Sequence, residues 1–540
     1  MTVFAYLADR RTWLAFAGVV TVFLALSLAQ AWRLGGFSSD LGGDPDEGAH
    51  AVTALMMKDY LAEGLPHARS PMSFAERYYQ TFPKVALGHY PPGFYLPAAL
   101  ALGNWGDPRS LIAMQCVLVA LLGLVTVKLT RRAWPGEGAV LVAWVCGAAV
   151  VLHGEVARVS VHVLADLLLV LLVLAAMACW MAWMARPAWS RSLAFGLVAA
   201  AAILTKGSAL GLAGIPVLTL LFARRWRDLK TPSWWGAGIP VVLLAGPWMV
   251  WSLRFTKEGF TGDTPATFFV KAVGEYATMA PWFFAWPVLV VRAVAAARAL
   301  VQVLRPAGGM DEMRACLWAT CLGMQGIAMI VPAGFSPRYM LPSLIPVLVL
   351  VVLEIPHWLR PSRLRLACGL AVALLLFSIF ELWRGRAKEV HGFAQAVDRV
   401  LALPDASAQR SWLVSSDGRG EGALIAAAAF RTPDRIATTR HILRGSKEIA
   451  DTDWVGSHYE IKFRDDAELL AYLDKAQVDV VLVDLSMPVA EQKPHETQLQ
   501  RALASAPAAW EKLPDQPVTR AAGMPPGHLE IYRCIRTSTP

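Results

Sequence analysis

The chain has 540 residues, of which 56% are hydrophobic and only 17% charged, and its formal net charge is +9. Soluble domains carry about 25% charged residues, so this composition excludes an ordinary soluble enzyme and indicates a polytopic membrane protein. The positive charge does not indicate nucleic-acid binding, because Lys and Arg concentrate in the cytoplasmic loops of membrane proteins. We therefore expect membrane lipids, and no nucleic acid, among its partners.

Eleven apolar segments are candidates for membrane-spanning helices, each of which needs roughly 20 residues. The segments are residues 12–32, 110–130, 137–153, 161–184, 192–206, 207–223, 234–253, 281–303, 315–333, 337–355 and 364–382. The first lacks a short apolar core followed by a small-residue cleavage site, so we expect a retained anchor helix. The Cys residues lie mostly inside these segments without metal-ligand spacing, and we expect them to act as small apolar residues.

The stretch of residues 192–222 can form either one very long helix or two short helices separated at residues 205–207. The distribution of basic residues separates these alternatives. With two helices and a cytoplasmic N-terminus, nearly every basic cluster of the membrane half falls on the cytoplasmic side. The clusters are Arg10 with Arg11, Arg131 with Arg132, Arg186 with Arg191, residues 224–230, Arg305 with Arg314, and residues 357–365. The sequence therefore predicts eleven spans with the C-terminus outside the cytoplasm.

A further apolar segment, residues 90–103, is too short for a span and begins with Pro91 and Pro92. Proline is tolerated at the start of a helix but not in its interior. Counting this segment as a span would also invert every later loop. We therefore expect a re-entrant or interfacial helix on the outer side.

This topology places a set of ionisable and aromatic side chains on the outer face of the membrane. They are Asp44, Asp46, Glu47, His50, His89, Tyr90, Arg158, Asp166, Lys206, Arg338 and Tyr339. Ionisable residues at membrane depth are costly and usually face a cavity or a pathway. We interpret them together as one candidate site.

The acidic segment also has a structural interpretation as a helix start. Asp44 as N-cap, Pro45 at the first position and Glu47 in the capping-box position form a favourable N-terminus. This interpretation accounts for Asp44 better than for Asp46, because a cap needs only one of the two. His50 lies one turn beyond Asp46, and covering the same helical face is an equally good interpretation of it.

Structural interpretations exist for the later residues as well. Lys206 and Arg338 can simply extend towards the lipid headgroups. Asp166 lies about one turn into an apolar helix, where capping does not account for it.

The residue types suit one kind of chemistry. A carboxylate at the membrane surface can act as general base towards an acceptor hydroxyl. Cations at the same depth can hold a phosphate whose lipid tail stays in the bilayer, and stabilise its charge as it leaves. A carboxylate base together with phosphate-binding cations suits the transfer of a sugar from a lipid phosphate to an acceptor. The configuration at the sugar carbon is inverted if the acceptor attacks directly.

Four short motifs occur in a fixed order on this face. They are Asp46-Glu47 opening a helix after the first span, Pro91-Pro92, Leu204 to Gly207, and Arg338 to Pro342. With them, residues 10–380 resemble the GT-C superfamily of integral-membrane glycosyltransferases that use polyprenyl-phosphate sugars. The branch most similar contains the protein O-mannosyltransferases and the aminoarabinose transferase of lipid A.

The resemblance implies a role for each matching residue. Asp46 would be the catalytic base, with Glu47 as its helper or as a helix cap. Lys206 and Arg338 would bind the carrier phosphate, and Asp166 would line the same cavity. We also expect His50, His89, Tyr90, Arg158 and Tyr339 to contact substrate or carrier.

The chain departs from the lipid A branch ahead of the double proline. That branch has an acid and a lysine that approach the carrier, whereas this chain has His89 and Tyr90. A protonatable His89 in their place would make donor binding sensitive to pH.

We expect no required cofactor. Related oligosaccharyltransferases hold a divalent metal with acidic motifs, and Asp44, Asp46 and Glu47 could supply oxygen ligands. No second acidic cluster of that kind accompanies them, so the sequence does not favour a metal site.

The composition changes at about residue 384, which divides the chain into a membrane domain (1–383, with its first outer loop at 33–109) and a tail (384–540). Alternating strand and helix patterns in the tail predict a small α/β domain with a mainly parallel sheet. Gly418, Gly420 and Gly422 do not fit G-x-G-x-x-G and are expected to form a plain turn. Similar transferases carry extracytoplasmic C-terminal domains, which suggests an acceptor-binding or site-covering role.

The sequence therefore favours an inverting glycosyltransferase of a bacterial cytoplasmic membrane, with undecaprenyl phosphate as carrier and a lipid, glycan or protein as acceptor. A transporter or flippase for a lipid-linked sugar is the alternative, but it would favour paired inverted repeats. A non-catalytic scaffold would leave Asp46, Asp166, Lys206 and Arg338 on one face without a role.

Overall fold

The structure is a computed structural model that describes residues 10–86, 88–103, 106–135, 138–260, 262–305, 309–358, 363–406, 409–452 and 459–535. Within helices, the side chains of residues 10–16, 355–358 and 363–367 are also outside the description. Part of the basic cluster at residues 357–365 therefore lies outside it.

A helix covers each of the eleven predicted spans. These helices are Arg10–Arg33, Arg109–Ala133, Ala139–Val151, Asp166–Ala185, Trp189–Thr205, Gly214–Ala223, Pro232–Thr256, Trp286–Leu304, Glu312–Ile330, Leu341–Trp358 and Arg363–Arg384. Within the described residues, six are long and apolar enough to cross a membrane, or seven if the bent pair Ala139–Val151 and Gly154–Ser160 is one span. Two further helices, Arg10–Arg33 and Arg363–Arg384, have 24 and 22 residues, but part of their side chains lies outside the description. The other predicted segments form shorter helices.

The predicted separation of residues 192–222 into two helices is confirmed. The first helix ends at Thr205, and Lys206 is extended, with φ −157° and ψ 131°. A 3₁₀ segment, Gly207–Ala213, then leads into the helix Gly214–Ala223. The break places the Lys206 side chain at the junction rather than on a continuous helical face.

The first outer loop is folded rather than extended. Its helices are Glu47–Asp59, hereafter the first-loop helix, Pro71–Thr81 and Tyr95–Leu102. The last covers the predicted re-entrant segment, and its eight residues span only about 12 Å, too little to cross a bilayer. A further long helix, Pro265–Phe284, has no predicted counterpart over most of its length and precedes Trp286–Leu304.

The tail is a small α/β domain, as predicted, but its sheet is mixed. The strands are β1 (Ser411–Ser415), β2 (His441–Arg444), β3 (Ala450–Asp451), β4 (Glu460–Ile461), β5 (Val480–Asp484), β6 (Trp510–Lys512), β7 (Gln516–Val518) and β8 (Gly527–Cys534). The main tail helices are Phe393–Leu401, Gly418–Arg431, Asp466–Lys475 and Pro494–Ser505.

The sheet order is β2-β1-β5-β8-β6, with β7 also paired to β8 and with β3 and β4 in a separate two-stranded sheet. β1 pairs parallel to β2 and β5, whereas β8 pairs antiparallel to β5, β6 and β7. The prediction of a mainly parallel sheet was wrong because β8 follows β7 through a short connection and inserts antiparallel between β5 and β6.

The tail packs directly on the first outer loop. Apolar residues of both, among them Val52, Leu55, Leu424 and Ile425, belong to one continuous buried cluster. Two elements that share a dry core lie on the same side of a membrane, so the tail and the first loop occupy one face.

Candidate active site

The junction between two short helices brings Lys206 to Asp166. Asp166 is the first residue of the apolar helix Asp166–Ala185, so the predicted position about one turn inside it was wrong, and its side chain is only 4% exposed. Lys206 Nζ donates to Asp166 Oδ1 at 2.7 Å. A buried carboxylate needs such a partner, so the pair accounts for an acid in an apolar segment.

Arg338 brings the last part of the membrane domain to the first loop. It lies in the 3₁₀ turn Pro337–Met340, and its guanidinium donates to Asp44 Oδ2 at 3.2 Å and to Asp46 Oδ2 at 3.0 Å. Burial would raise the pKa of Asp44, but Arg338, the backbone N–H of Asp46 and the more distant His162 and Arg158 together outweigh it, so the pKa of Asp44 is lowered. Asp44 Oδ1 also accepts the backbone N–H of Asp46 at 3.1 Å, which fixes the start of the first-loop helix.

Two tyrosines complete the contacts around these charges. Both cations lie close to the ring of Tyr339: Lys206 Nζ is 5.1 Å and Arg338 Cζ is 5.6 Å from the ring centroid. The Tyr90 hydroxyl is hydrogen-bonded to the Asp46 carboxylate, and burial raises the pKa of Tyr90 well above its usual value. Tyr90 therefore stays protonated and donates to Asp46.

His50 supports the site from behind. Its Nδ1 is 3.0 Å from the hydroxyl of Tyr95, and its ring centroid is 4.5 Å from that of Tyr90. Burial lowers the pKa of His50 to about 4, although Asp46 acts in the opposite direction. His50 is thus a neutral, packed side chain that holds Tyr90. Tyr95 was not predicted, and its only signal is its place in the aromatic stretch after Pro91 and Pro92.

Most of the predicted site residues line one cavity of about 450 Å³, hereafter the Asp46 cavity. The predicted residues in its wall are Asp46, His89, Tyr90, Asp166, Lys206, Arg338 and Tyr339. Apolar side chains form the remainder, among them Leu169, Leu210, Met249, Leu253, Phe260 and Met324. The cavity thus joins one charged region to a wall suited to a hydrocarbon chain.

Glu47 lies outside the Asp46 cavity. Its carboxylate is fully buried; Oε1 accepts from Lys388 Nζ of the tail at 2.5 Å, and Oε2 accepts the Gly43 N–H at 3.0 Å. Glu47 therefore anchors the helix start and the tail. Lys388 was not predicted, because a lone lysine in a charged segment carries no signal of burial.

Arg158 lines a different cavity, on the other side of residues 43–46. It forms a salt bridge with Glu155, with Nη2 2.6 Å from Oε1. The structure therefore separates Arg158 from the residues around Asp46.

Among the described residues, one group of side chains has the spacing of a metal site. It consists of Asp515, His528 and Glu530 in the tail, with ligand atoms within 4.8 Å of one another. Glu530 already accepts from Lys512 Nζ at 2.6 Å. The carboxylates of Asp44 and Asp46 do not belong to this group, and Arg338 already occupies them.

Comparison with known proteins agrees with the motifs. Residues 84–263 match the sequence profile of the dolichyl-phosphate-mannose-protein mannosyltransferase family. That range contains His89, Tyr90, Asp166 and Lys206 but neither Asp46 nor Arg338. No curated protein sequence matches the chain significantly.

The fold is shared with two solved membrane transferases. One is the oligosaccharyltransferase AglB from Archaeoglobus fulgidus in complex with an inhibitory peptide and a dolichol-phosphate, at a TM-score of 0.56 and 12% identity, covering 96% of this chain and 74% of that one. The other is ArnT from Cupriavidus metallidurans bound to undecaprenyl phosphate, at a TM-score of 0.53 and 15% identity, covering 96% and 98%. These likenesses and the family match confirm the predicted GT-C fold and the resemblance to membrane glycosyltransferases.

Proposed function

We propose that the chain is an inverting glycosyltransferase that moves a sugar from a polyprenyl phosphate to an acceptor on the extracytoplasmic face of a bacterial inner membrane. The observation that carries this proposal is the Asp46 cavity, in which a carboxylate, two cations and an apolar wall meet. The carrier is undecaprenyl phosphate, the lipid bound to the solved ArnT structure. AglB, with its bound dolichol-phosphate, supports the same class of carrier.

The donor lies with its lipid along the apolar wall and its phosphate against Lys206 and Arg338. Both cations are mostly buried, with side chains 13% and 12% exposed, so their charges are little screened. Charge-assisted hydrogen bonds to the phosphate strengthen as negative charge develops on the leaving oxygen. His89, at the same cavity, supplies a further donor when protonated.

Asp46 acts as general base. It accepts the proton of the acceptor hydroxyl while that oxygen attacks the anomeric carbon of the sugar. The new glycosidic bond forms as the bond from the anomeric carbon to the phosphate oxygen breaks, and polyprenyl phosphate leaves. Direct attack from the face opposite the phosphate inverts the anomeric configuration.

Without substrate, the proposed base Asp46 and the proposed phosphate-binding cation Arg338 form an ion pair with each other. Arg338 donates to Asp46 and Asp44 simultaneously, and Lys206 donates to Asp166. A donor phosphate competes for these cations and thereby releases Asp46 to receive a proton. Donor binding before acceptor activation follows from this arrangement.

We propose no metal in this step. The charge that a divalent ion would supply to the phosphate comes from the guanidinium and the ammonium group. Among the carboxylates at this site, Asp44 and Asp46 are held by Arg338 and Asp166 by Lys206.

The test compares cell-envelope glycans and lipids by mass spectrometry from cells with the wild-type protein, with Asp46→Asn, and with the gene deleted. Loss of a general base typically costs about 10²- to 10⁴-fold in rate, so Asp46→Asn should lose the same sugar mass as the deletion. Asp44→Asn is the matched control, because Asp44 lies two residues before Asp46 and is also bound to Arg338. This variant should retain transfer within about tenfold, because Asp46 remains.

Membrane abundance of each variant is measured by immunoblot in the same cells. Full modification by Asp46→Asn at normal abundance would refute the role of Asp46. An unchanged glycan profile in the deletion would refute glycosyl transfer altogether and would favour the alternative interpretation as a transporter.

A further inference from the structure

A cation without an acidic partner lies inside the membrane domain. Arg292 belongs to the candidate span Trp286–Leu304 and lies about 9 Å along the helix axis from its start. Arg298, on the same helix, pairs with Glu354 at 3.4 Å, whereas Arg292 forms no ion pair with any described residue. A charge at membrane depth is costly and usually faces a partner, a cavity or a pathway. The proposed transfer step does not use Arg292.

The protein holds the Arg292 guanidinium at one nitrogen only. Its Nη2 donates to the side-chain oxygen of Gln325 at 2.6 Å, and its Cζ lies 5.3 Å from the ring centroid of Phe284. Within the described part of the chain, Nε and Nη1 donate to no other group. Gln325 accepts through its oxygen, which leaves its amide N–H groups as further donors. A planar guanidinium with free donors suits a phosphate.

Arg292 and Gln325 line a cavity of about 270 Å³, hereafter the Arg292 cavity. Its wall also contains Tyr276, whose hydroxyl is buried near the backbone of Ser336 but makes no hydrogen bond of normal geometry. A buried hydroxyl without an acceptor is costly. The volume lies below the roughly 300–1,000 Å³ of small-molecule sites, so the cavity suits a headgroup rather than a whole substrate.

The Arg292 cavity faces the bilayer. Val273 and Ala277, both exposed on the helix Pro265–Phe284, line it. The apolar part of Trp286–Leu304 is only 11% buried inside the protein, so this helix is also exposed to lipid. Tyr339 lines both the Arg292 cavity and the Asp46 cavity, so the two adjoin and lie on the same side of the membrane.

The charges of the wall favour a ligand with a single negative charge. Arg292 is the one charged side chain among the described residues that line the cavity, and no carboxylate is there to receive the ammonium group of a zwitterionic lipid. The Asp46 cavity, in contrast, offers Lys206 and Arg338 to a phosphomonoester that can carry two charges. An anionic phosphodiester lipid therefore fits the Arg292 cavity better than phosphatidylcholine or polyprenyl phosphate does.

We propose that the Arg292 cavity binds the phosphodiester headgroup of an anionic glycerophospholipid from the surrounding leaflet. Arg292 and Gln325 donate to its phosphate oxygens, and the Tyr276 hydroxyl gains the acceptor that it lacks. The acyl chains lie outside, along the exposed apolar faces of Pro265–Phe284 and Trp286–Leu304. This inference does not depend on the proposed transferase function.

The test uses the purified full chain in a neutral detergent, and native mass spectrometry measures the dissociation constant of the first lipid bound. Phosphatidylglycerol is the probe, and phosphatidylcholine and undecaprenyl phosphate are the comparison lipids. Arg292→Gln removes the charge, and Tyr276→Phe removes only the hydroxyl. Arg254→Gln is the matched control, because Arg254 also lies over aromatic rings, 5.2 Å from Trp251 and 4.7 Å from Phe255, but lines neither cavity.

We expect phosphatidylglycerol to bind about fivefold more tightly than phosphatidylcholine, and Arg292→Gln to lose at least about fivefold of that affinity. Tyr276→Phe should lose at least about twofold, and it decides the question alone if Arg292→Gln does not fold in a thermal unfolding measurement. Both variants should bind undecaprenyl phosphate as the wild type does, and Arg254→Gln should match the wild type for phosphatidylglycerol.

Three results would overturn the proposal: equal binding of the two phospholipids, unchanged phosphatidylglycerol affinity in a folded Arg292→Gln or in Tyr276→Phe, or an equal loss in Arg254→Gln. Weaker binding of undecaprenyl phosphate by Arg292→Gln would assign the cavity to the carrier lipid and would also overturn it.

Discussion

Arg338 is the residue on which the candidate site depends most. It is 292 residues from Asp46 in sequence, yet its guanidinium joins the first loop to the turn Pro337–Met340. Removing it leaves Asp44 and Asp46 as two neighbouring carboxylates without their cation, and a donor phosphate without its bidentate partner.

Arg338→Gln should therefore reduce transfer by about 10²-fold or more, mainly through a higher KM for the polyprenyl-phosphate sugar. Arg338→Lys should recover part of this loss, because it restores the charge but not the planar pair of donors. Steady-state kinetics on purified protein separate KM from kcat. Unchanged KM in Arg338→Gln would contradict the phosphate contact.

The resemblance identified the residues of the Asp46 cavity. It could not show which side chains of the protein these residues contact when no substrate is bound. Lys206 belongs to the motif Leu204 to Gly207 and Asp166 to none of the four motifs, and their 2.7 Å contact depends on how two helices cross. The prediction made Glu47 a helper of Asp46 or a helix cap. It could not include Lys388, which is 341 residues away and is brought to Glu47 only by the folded tail.

Lys84 shows how burial affects a single charge at the interface of loop and tail. Its Nζ donates to the carbonyl oxygen of Gly418 at 3.0 Å, and burial, with a smaller effect of Arg444, lowers the pKa of Lys84 to about 8. Between about pH 8 and 10.5 the unfolded chain binds more protons than the folded one, so stability rises with pH in this window.

We expect the free energy of opening of the helix Gly418–Arg431, measured from amide protection, to increase between pH 8 and 10 by at most about 3 kcal/mol. Hydrogen exchange, corrected for the intrinsic effect of pH on exchange, measures this change. Lys84→Met removes the titrating group while keeping an apolar stem, and it should abolish the increase. An equal increase in Lys84→Met would contradict the assignment.

At the scale of elements, the first-loop helix and the tail helix Gly418–Arg431 meet backbone to backbone. A Cβ at Gly48 would lie 2.6 Å from the carbonyl oxygen of Gly422, which cannot move without the whole helix. A Cβ at Gly422 would instead meet Lys84 Cε at 3.1 Å, the flexible end of a side chain. The same contact thus tolerates substitution on one side only.

Gly48→Ala should separate the two helices and displace Asp46, which lies two residues earlier. The substitution should lower the free energy of unfolding by about 1–3 kcal/mol. We expect lower transfer activity and faster proteolysis of the tail in limited digestion. Gly422→Ala is the control and should stay close to the wild type in both measurements. Equal behaviour of the two variants would argue against close packing at Gly48.

The elements themselves were largely predictable, because periodicity and turn residues are local signals. The alternation of strands and helices in the tail was predicted correctly, whereas the antiparallel insertion of β8 depends on its non-local pairing with β5. The break at Lys206 was predictable because the distribution of basic loops depends on it.

At the scale of the molecule, two ion pairs fasten the tail to the first outer loop. Lys388 binds the fully buried Glu47, and Arg435 binds Asp59 through two hydrogen bonds of 2.6 and 2.8 Å. Neither Lys388 nor Arg435 lines the Asp46 cavity, so these two ion pairs affect that cavity only through the position of the first-loop helix.

Lys388→Met should destabilise the protein by roughly 3–5 kcal/mol, because it leaves the Glu47 carboxylate buried without a cation. The double variant Lys388→Met/Glu47→Gln should recover much of this loss. As control, Arg431→Met breaks the exposed pair with Asp398 and should cost at most about 1 kcal/mol. Thermal unfolding and transfer assays of these three variants, of Glu47→Gln and of the wild type measure this. Additive effects of the substitutions at Lys388 and Glu47 would contradict the coupling.

The docking of the tail also determines the order in which the protein matures. The first loop is synthesised and exported long before the tail, since Asp59 and its partner Arg435 are 376 residues apart. Until the ribosome has finished, the loop lacks the tail residues of their shared core and the lysine that neutralises Glu47. A truncated or stalled chain would thus insert into the membrane with an incompletely folded first loop, so that the Asp46 cavity forms only in completed molecules.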